Sequence, residues 1–321
     1  MNAKKVIIDC DPGIDDALAL MLALRSPELE ILGITVVSGN VPAKKGASNA
    51  QKVLHWMNRP DIPVYLGEEL PLVRPYVDAM DTHGEDGLGE SHYPEITDGT
   101  INTDGVGFLA RTLHEAAQKE EPVSIIALGP LTNLARLVQN DPESLAGLGE
   151  LISMGGSCQS HGNCSPVAEY NYWCDPHAAE IVYRAFEELP VLQDKQIHMV
   201  GLDVTLKAAL NREDEQEIRS FGNKGAVLAA DILDYMIRRY ADGGEDALMH
   251  DALAAAAAVC PQCLVCHDYF VDVECQGEYT AGHTMVDRRG RTGKKPNVSV
   301  AMELDLPVFK QWLKDCLRQC G

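Results

Sequence analysis

The segment VIIDCDPGIDDALALMLAL, residues 6–24, decides the interpretation of the whole chain. It opens with an apolar run, residues 6–9, that is typical of a buried strand, and it closes with a helical pattern over residues 15–24. Pro12 and Gly13 between these two patterns predict a turn. A strand that passes directly into a helix is the beginning of a βαβ unit, so the segment predicts an α/β fold.

Four aspartates surround this turn within eight positions, and no lysine or arginine stands among them: Asp9, Asp11, Asp15 and Asp16. In open α/β sheets, ligands bind beyond the carboxyl ends of the strands, where this cluster falls. A helix N-terminus stabilises one or two carboxylates, but four in contact repel one another by several kcal/mol each unless a counter-charge is present. The cluster therefore predicts a bound divalent cation, and oxygen ligands favour Ca²⁺ or Mg²⁺ over zinc. The simpler alternative is two helix-capping and two solvated aspartates.

Apolar, β-branched runs alternate with helical patterns along the chain. The predicted strands are 6–9, 31–39, 64–67, 123–129, 151–156 and 197–204, with later β segments at 269–277 and 297–305. The predicted helices are 15–24, 43–57, 105–118, 131–139, 176–187, 251–260 and 307–320. This order predicts an open, mostly parallel central sheet flanked by helices on both faces, in a single domain over residues 1–321.

Composition excludes several classes of partner. The chain has 321 residues, a net charge of −21 and a pI near 4.8, so its surface repels nucleic acid and anionic membranes. The sequence predicts neither a secretory signal nor a transmembrane segment. We expect a soluble, cytoplasmic protein whose ten cysteines are mostly reduced.

Further motifs extend this interpretation in a fixed order along nearly the whole chain. They are DCDPGIDDALAL (9–20), GITVVSGN (33–40), THGEDGLG (82–89), ALGPLTNLA (127–135), MGGSCQSHGNCSPVAEYNYWCDPHAA (154–179), GLDVT (201–205), MHDALA (249–254) and VDRRG (286–290). With these motifs the chain resembles the inosine–uridine-preferring nucleoside hydrolases. The resemblance implies a Rossmann-like nucleoside hydrolase fold, hydrolysis of purine or pyrimidine ribonucleosides to ribose and free base for nucleoside salvage, and a homodimer or homotetramer.

The resemblance also implies one Ca²⁺ in the pocket. Its ligands would be Asp11, Asp16, Asp251 and the backbone carbonyl oxygen of Leu128. Asp15 would act as the general base on a water molecule, and Asp9 would support the site.

Two further sets of residues match the family's substrate pocket. The ribose hydroxyls would be bound by Asn40, Asn163, Glu169 and Asn171. A site that pairs each hydroxyl should reject deoxyribose, because the missing group leaves buried partners unpaired. His250 would protonate the leaving base, and His83 would contact the base or the 5′ side of the sugar.

Tyr235 and Arg239 lie four residues apart on a helical pattern and share one face. A tyrosine and a basic residue near this place help to bind the base in some relatives, and Tyr240 is an equal candidate. An ordinary amphipathic helix is the alternative. Residues 157–164, SCQSHGNC, are expected to form a flexible flap over the pocket, with His161 more simply explained as a solvated residue.

One segment departs from the family pattern, and a second is unusual for its positive charge. Cys260, Cys263, Cys266 and His267 have spacings that allow a structural zinc site, although reduced thiols in a turn are the simpler interpretation. The basic run RRGRTGKK (288–295) predicts a solvated hairpin loop, or a contact with an acidic face of a neighbouring subunit.

Two other functions remain open at this point. A Mg²⁺-dependent phosphohydrolase would use Asp9 as nucleophile and Asp11 as acid, but it would leave Asp15, Asp16 and the His250–Asp251 pair without a role. A nucleoside-binding protein without turnover would keep the metal, but the presence of both Asp15 and His250 speaks against it.

Overall fold

The computed structural model describes residues 3–97, 99–240 and 246–320, apart from the side chain of Tyr240. The strands are β1 (Lys4–Cys10), β2 (Leu29–Val36), β3 (Val64–Leu66), β4 (Ile101–Asn102), β5 (Val123–Ala127), β6 (Leu148–Met154), β7 (Ile197–Val200), β8 (Ala209–Leu210), β9 (Ala247–Leu248), β10 (Leu264–Val273), β11 (Thr284–Asp287) and β12 (Val298–Leu304). The α-helices are α1 (Ile14–Arg25), α2 (Ala43–Trp56), α3 (Met80–His83), α4 (Gly105–Lys119), α5 (Thr132–Asn140), α6 (Tyr170–Cys174), α7 (Pro176–Glu188), α8 (Leu202–Thr205), α9 (Arg212–Ser220), α10 (Lys224–Tyr240), α11 (His250–Val259) and α12 (Leu306–Arg318).

Ten strands form one sheet in the order β11-β10-β12-β7-β6-β5-β1-β2-β3-β4. All pairings are parallel except those that β10 makes with β11 and β12. β1 lies between β2 and β5, so the chain winds outward from β1 in both directions. Such a reversal opens a crevice at the carboxyl end of the strand. The predicted α/β fold is confirmed.

Helices cover both faces of the sheet. The pleat of β1 directs Val6 and Ile8 into one hydrophobic cluster and Ile7 into another. The first cluster contains residues of α1, α2, α10, α11 and α12, and the second contains residues of α4, α5 and α7. Burial on both faces explains why the parallel strands have near-continuous apolar sequences.

The predicted strand 197–204 is wrong in its second half. β7 ends at Val200, and the short helix α8 begins at Leu202, after the N-cap residue Gly201. The backbone N–H of Leu202 donates to the carbonyl of Gly156, which turns the chain away from the sheet. The apolar composition of this segment reflects burial in a helix, which a short apolar run does not distinguish from a strand.

Neither the cysteine-rich segment 260–267 nor the basic run 288–295 is among the described residues that line the crevice. Cys260 and Cys263 are buried, whereas Cys266 and His267 are exposed on β10, and the described residues do not bring these four side chains into a common ligand group. In the 288–295 run, Lys294 pairs with Glu187 at 2.8 Å. Among the helices that the structure describes, none has the length and apolar character needed to cross a bilayer.

Candidate active site

Asp9 lies at the end of β1 and is completely buried. Its Oδ1 accepts hydrogen bonds from Thr35 Oγ1 at 2.5 Å and from Asn133 Nδ2 at 2.7 Å. Asn133 also accepts a hydrogen bond from the backbone N–H of Glu68, at 2.8 Å. Asp9 thus links β1 to β2 and α5 beneath the crevice, and Asn133 extends this link to the backbone at Glu68.

Asp11 and Asp16 are held on either side of the Pro12–Gly13 turn. Asp16 accepts hydrogen bonds from the backbone N–H of Gly13 at 3.0 Å, the backbone N–H of Asp11 at 3.2 Å and Asn40 Nδ2 at 3.0 Å. Asp11 Oδ2 accepts from the backbone N–H of Asn40 at 2.6 Å. The predicted strand 31–39 is therefore wrong in its last three residues: residues 37–39 lie outside β2 and lead the chain to Asn40, which contacts both carboxylates.

Two glycines make room for the Asp11 carboxylate. A Cβ on Gly39 would overlap Asp11 Oδ2, and a Cβ on Gly129 would lie 2.5 Å from Asp11 Oδ1. The backbone thus closes around this carboxylate on two sides, a close approach that only glycine permits.

Carboxylate oxygens of Asp15, Asp16 and Asp251 all lie within 4.8 Å of one another. The cluster forms because α1 and α11 pack together with their N-termini on the same side. Asp11 Oδ1 and Asp15 Oδ1 are buried and accept no hydrogen bond from any described residue. Two of the three predicted carboxylate ligands, Asp16 and Asp251, therefore converge, but the third converging oxygen belongs to Asp15 and not to Asp11.

Burial and mutual repulsion raise the pKa values in this cluster. Burial, with a smaller contribution from the charge of Asp16, raises the pKa of Asp15 to about 7 and that of Asp11 well above its usual range. Burial and the charges of Asp15 and Asp16 likewise raise the pKa of Asp251. Buried carboxylates without a counter-charge have this property, and a divalent cation would offset the repulsion. The all-oxygen donor set and its unpartnered oxygens fit a hard cation such as Ca²⁺ or Mg²⁺.

A cavity of about 880 Å³ opens above the cluster. It is lined by most of the residues that the sequence predicted for the site, namely Asp15, Asn40, His83, Leu128, Asn163, Glu169, Asn171, His250 and Asp251. Asp9, Asp11 and Asp16 are completely buried and are not among its described lining residues. Within the aspartate cluster, Asp15 is the most exposed residue, at 8%.

Glu169 and Asn171 form a rigid polar corner of the cavity. Glu169 accepts hydrogen bonds from the backbone N–H groups of Asn171, Gly156 and Tyr172 at 2.7, 3.0 and 3.2 Å. Its burial nevertheless raises its pKa to about 7. Asn171 Nδ2 donates to the carbonyl oxygen of Leu128 at 2.7 Å, which links this corner to the predicted metal ligand. Asn163 is more exposed, and its Oδ1 accepts from the backbone N–H of Tyr170.

Both predicted histidines reach the cavity and are neutral at pH 7. The backbone N–H of Ile14 donates to His83 Nδ1 at 3.0 Å, so the ring proton of the neutral imidazole is on Nε2. Burial, with a smaller effect of His250, lowers the pKa of His83 to about 3. His250 Nδ1 lies 2.8 Å from Thr205 Oγ1, and burial lowers its pKa to about 4.

Tyr235 and Arg239 are not among the described residues that line the cavity. Arg239 Nε donates to the carbonyl oxygen of Asp81 at 3.0 Å, and the Tyr235 side chain packs against Gly89. α10 instead presents Met236 to the cavity, a residue that sequence reasoning missed. The helical periodicity places Tyr235 and Arg239 on the same face of α10, but it does not indicate which face of that helix lines the cavity. The third candidate, the side chain of Tyr240, lies outside the described residues.

Residues 157–164, the 157–164 loop, form one wall of the cavity through Gln159, Ser160, His161, Gly162, Asn163 and Cys164. The first half of this loop is anchored, in contrast to the flexible flap expected from sequence. Its backbone N–H groups at Cys158, Gln159 and Ser160 donate to the Asp203 carboxylate. Sequence reasoning missed this role of Asp203. The available signal was an acidic residue just beyond the end of an apolar strand, since Asp203 lies three residues after Val200.

Comparison with known proteins gives one consistent result. A family model described as inosine-uridine preferring nucleoside hydrolase matches residues 6–311. The pyrimidine-specific ribonucleoside hydrolase RihA of Escherichia coli O17:K52:H18 is 40% identical over 319 residues, which are 98% of this chain and 99% of that protein. A purine-preferring ribonucleoside hydrolase from Gardnerella vaginalis superimposes with a TM-score of 0.89 at 28% identity, over 99% of both chains. A plant nucleoside hydrolase, PpNRh1, gives 0.88 at 31% identity, over 98% of this chain and 99% of that one.

Proposed function

This chain belongs to the inosine-uridine preferring nucleoside hydrolase family and is a nucleoside hydrolase, and from this premise we propose that it is Ca²⁺-dependent and prefers pyrimidine ribonucleosides. It would cleave the N-glycosidic bond and release ribose and the free base. The observation that carries the metal proposal is the convergence of Asp15, Asp16 and Asp251 at the cavity floor, together with buried carboxylate oxygens that lack a partner.

The residues that would hold the ion are Asp16, Asp251 and the carbonyl oxygen of Leu128, together with Asp11, whose buried Oδ1 accepts no hydrogen bond from the described residues. When bound, Ca²⁺ would supply positive charge that attracts the ribose hydroxyls and lowers the pKa of a nearby water. Asn171 already donates to the Leu128 carbonyl oxygen, so it would fix the direction of that ligand.

Asp15 is the proposed general base. A base must reach the water from which it takes a proton, and Asp15 is exposed to the cavity while Asp11 and Asp16 are buried beneath its floor. Asp15 Oδ1 is buried and accepts no hydrogen bond from the described residues, so no protein donor competes for that oxygen.

The reaction breaks the bond between the sugar carbon and the base nitrogen. The electron pair leaves with the base while positive charge develops on the sugar, as in other glycosidic hydrolyses. Water adds to the sugar carbon and gives its proton to Asp15, and the leaving base takes up a proton. Glu169 and Asn171, held by the backbone of their own corner, bind and orient the ribose. The negative groups of the cavity floor stabilise the charged sugar.

His250 is the proposed donor of the proton to the base. Because its pKa lies near 4, the free imidazole is neutral, and the proton transfer requires that substrate binding raise this pKa. His83, with its proton on Nε2, is a hydrogen-bond donor toward the base or the 5′ side of the sugar. Tyr235 and Arg239 would contribute to base binding only after a movement of the segment around Asp81.

The proposed base preference is supported by the relatives. The pyrimidine-specific hydrolase shares 40% of residues with this chain, whereas the purine-preferring enzyme shares 28%.

The environment of Asp9 disfavours the alternative function of a phosphohydrolase. Asp9 would be the nucleophile of that reaction, but it is completely buried and hydrogen-bonded to Thr35 and Asn133.

An assay panel tests the proposal. Release of reducing sugar and free base is measured from uridine, cytidine, inosine and adenosine, with and without a chelator, followed by re-addition of Ca²⁺ or Mg²⁺. We expect fastest turnover with uridine or cytidine, loss of activity with the chelator and recovery with Ca²⁺. Full activity after exhaustive chelation would refute the metal proposal, and faster turnover of inosine would refute the base preference. Binding of uridine without turnover would identify a binding protein. Sedimentation checks the homodimer or homotetramer expected from the resemblance.

A further inference from the structure

The 157–164 loop has an unusual anchor. The Asp203 carboxylate, 4% exposed, accepts three consecutive backbone N–H groups: Cys158 N to Oδ2 at 2.5 Å, Gln159 N to Oδ1 at 2.8 Å and Ser160 N to Oδ1 at 3.1 Å. Three amides that converge on one anion form a concave binding site for negative charge. The residue just before them is fixed as well, because Ser157 N donates to Thr284 Oγ1 at 2.9 Å.

The anchored backbone is also cavity wall. Gln159 and Ser160, whose amides Asp203 holds, line the cavity together with the residues that follow. Gln159 and His161 are exposed side chains, so the position of the backbone sets where they meet a substrate. Without Asp203, three amides at the base of this wall would lack their acceptor and the loop would exchange among conformations.

The element that carries Asp203 also reaches the proposed proton donor. α8 contains Thr205, whose hydroxyl lies 2.8 Å from His250 Nδ1. One turn of helix thus contacts the cavity wall through Asp203 and the leaving-base side through Thr205.

We propose that Asp203 is a positioning residue that holds the 157–164 loop against the substrate, so that it sets substrate affinity and not the rate of the chemical step. This inference rests on the proposed nucleoside hydrolase activity. When the loop is already ordered, the substrate binds without a free-energy cost for ordering it. If the loop exchanges among conformations, that cost lowers the apparent affinity for the substrate.

Asp203→Asn is the sharpest perturbation because it keeps the shape of the side chain. The carboxamide retains one acceptor oxygen, and its N–H₂ group then faces an amide donor, so at least one hydrogen bond is lost. Loss of a hydrogen bond to a charged group changes an equilibrium by at least about tenfold. We therefore expect KM for uridine to rise by about tenfold with kcat within about threefold of native, and a larger rise in KM for Asp203→Ala.

Asp214→Asn is the matched control. Asp214 is also a buried carboxylate, 7% exposed, and it accepts a backbone N–H, from Asn211, at 3.0 Å. It pairs with Lys310 and Lys314, and it is not among the described residues that line the cavity. This variant should lower the melting temperature without changing KM.

Hydrogen exchange of the native enzyme and both variants completes the experiment. The amides of residues 158–160 should exchange about tenfold faster in Asp203→Asn only, with β1 protected equally in all three proteins. Native KM in Asp203→Asn below its melting temperature, or a loss of kcat at unchanged KM, would overturn the inference. If the native enzyme releases no base from any nucleoside, the proposed function fails instead, and exchange at 158–160 still reports whether Asp203 holds the loop.

Discussion

Replacement of Asp15 by asparagine is the most direct test of the proposed chemistry. The substitution keeps the size of the side chain and removes the group that would accept the proton from water. General bases contribute roughly 10²- to 10⁴-fold to turnover, which corresponds to about 3–5 kcal/mol of barrier. The neighbouring carboxylates cannot take over, since Asp16 is completely buried and Asp251 is a proposed metal ligand. We expect kcat for uridine to fall by about 10³-fold.

The fold should tolerate this change. Asp15 Oδ1 accepts no hydrogen bond from the described residues, so the amide loses no protein interaction at that atom. Removal of one charge also relieves repulsion from Asp16 and Asp251. In chelator, the variant should therefore melt at or above the temperature of the native protein.

The assay is steady-state release of base from uridine with saturating Ca²⁺, alongside a thermal melt in chelator. Asp9→Asn is the control. Asp9 belongs to the same aspartate-rich segment of the sequence as Asp15, but it is buried below the cavity. It should keep kcat within about tenfold of native, since a residue away from the reacting atoms acts mainly on stability. Near-native turnover in Asp15→Asn would remove the proposed base, and a larger loss in Asp9→Asn than in Asp15→Asn would refute the assignment of roles.

Three further outcomes are expected. Ca²⁺ at about 100 times its dissociation constant should raise the melting temperature of the chelated protein by about 4 °C, measured by calorimetry; an unchanged melting temperature would contradict a site preformed in the folded state. 2′-Deoxyuridine should have a kcat/KM about 10³-fold or more below that of uridine, since its missing hydroxyl leaves buried partners unpaired; comparable values would argue against the ribose corner. Asn133→Ala should lower the free energy of unfolding by about 2–4 kcal/mol, because it leaves Asp9 and the Glu68 amide without a partner; denaturant unfolding checks this, and a loss below about 1 kcal/mol would contradict the bridging role.

The parts of the fold that the sequence predicted well are those with strong local signals. β1 and α1 combine an apolar strand, a Pro–Gly turn and a helical pattern, and each lies within about two residues of its predicted bounds. α8 was misread because Leu202 and Val204 have strand-like side chains, while the bond that turns the chain comes from Gly156, distant in sequence. The two-residue strands and α3 have too few residues for any periodicity to be visible.

Sequence reasoning predicted the positions of some residues of the candidate site and missed others. The position of Asp15, His250 and Asp251 at the cavity could be predicted from motifs, because each of these residues lies at the beginning of a helix that starts at the carboxyl edge of the sheet. Which face of α10 meets the cavity depends on tertiary packing, so Tyr235 and Arg239 could not be distinguished from Met236. The contacts of Asp203 are with three backbone N–H groups, and because nearly every residue has such a group, the amino-acid sequence gives no sign of which ones it binds.

The pairing of α1 with α11 has a consequence for biosynthesis. Asp16 leaves the ribosome soon after β1, whereas Asp251 emerges only after β9 has been made. A nascent or truncated chain that ends before residue 251 therefore lacks one carboxylate of the Asp15, Asp16 and Asp251 cluster, even if its first strands have already formed a sheet. Binding of the proposed ion would accordingly require that α1 and α11 have already come together.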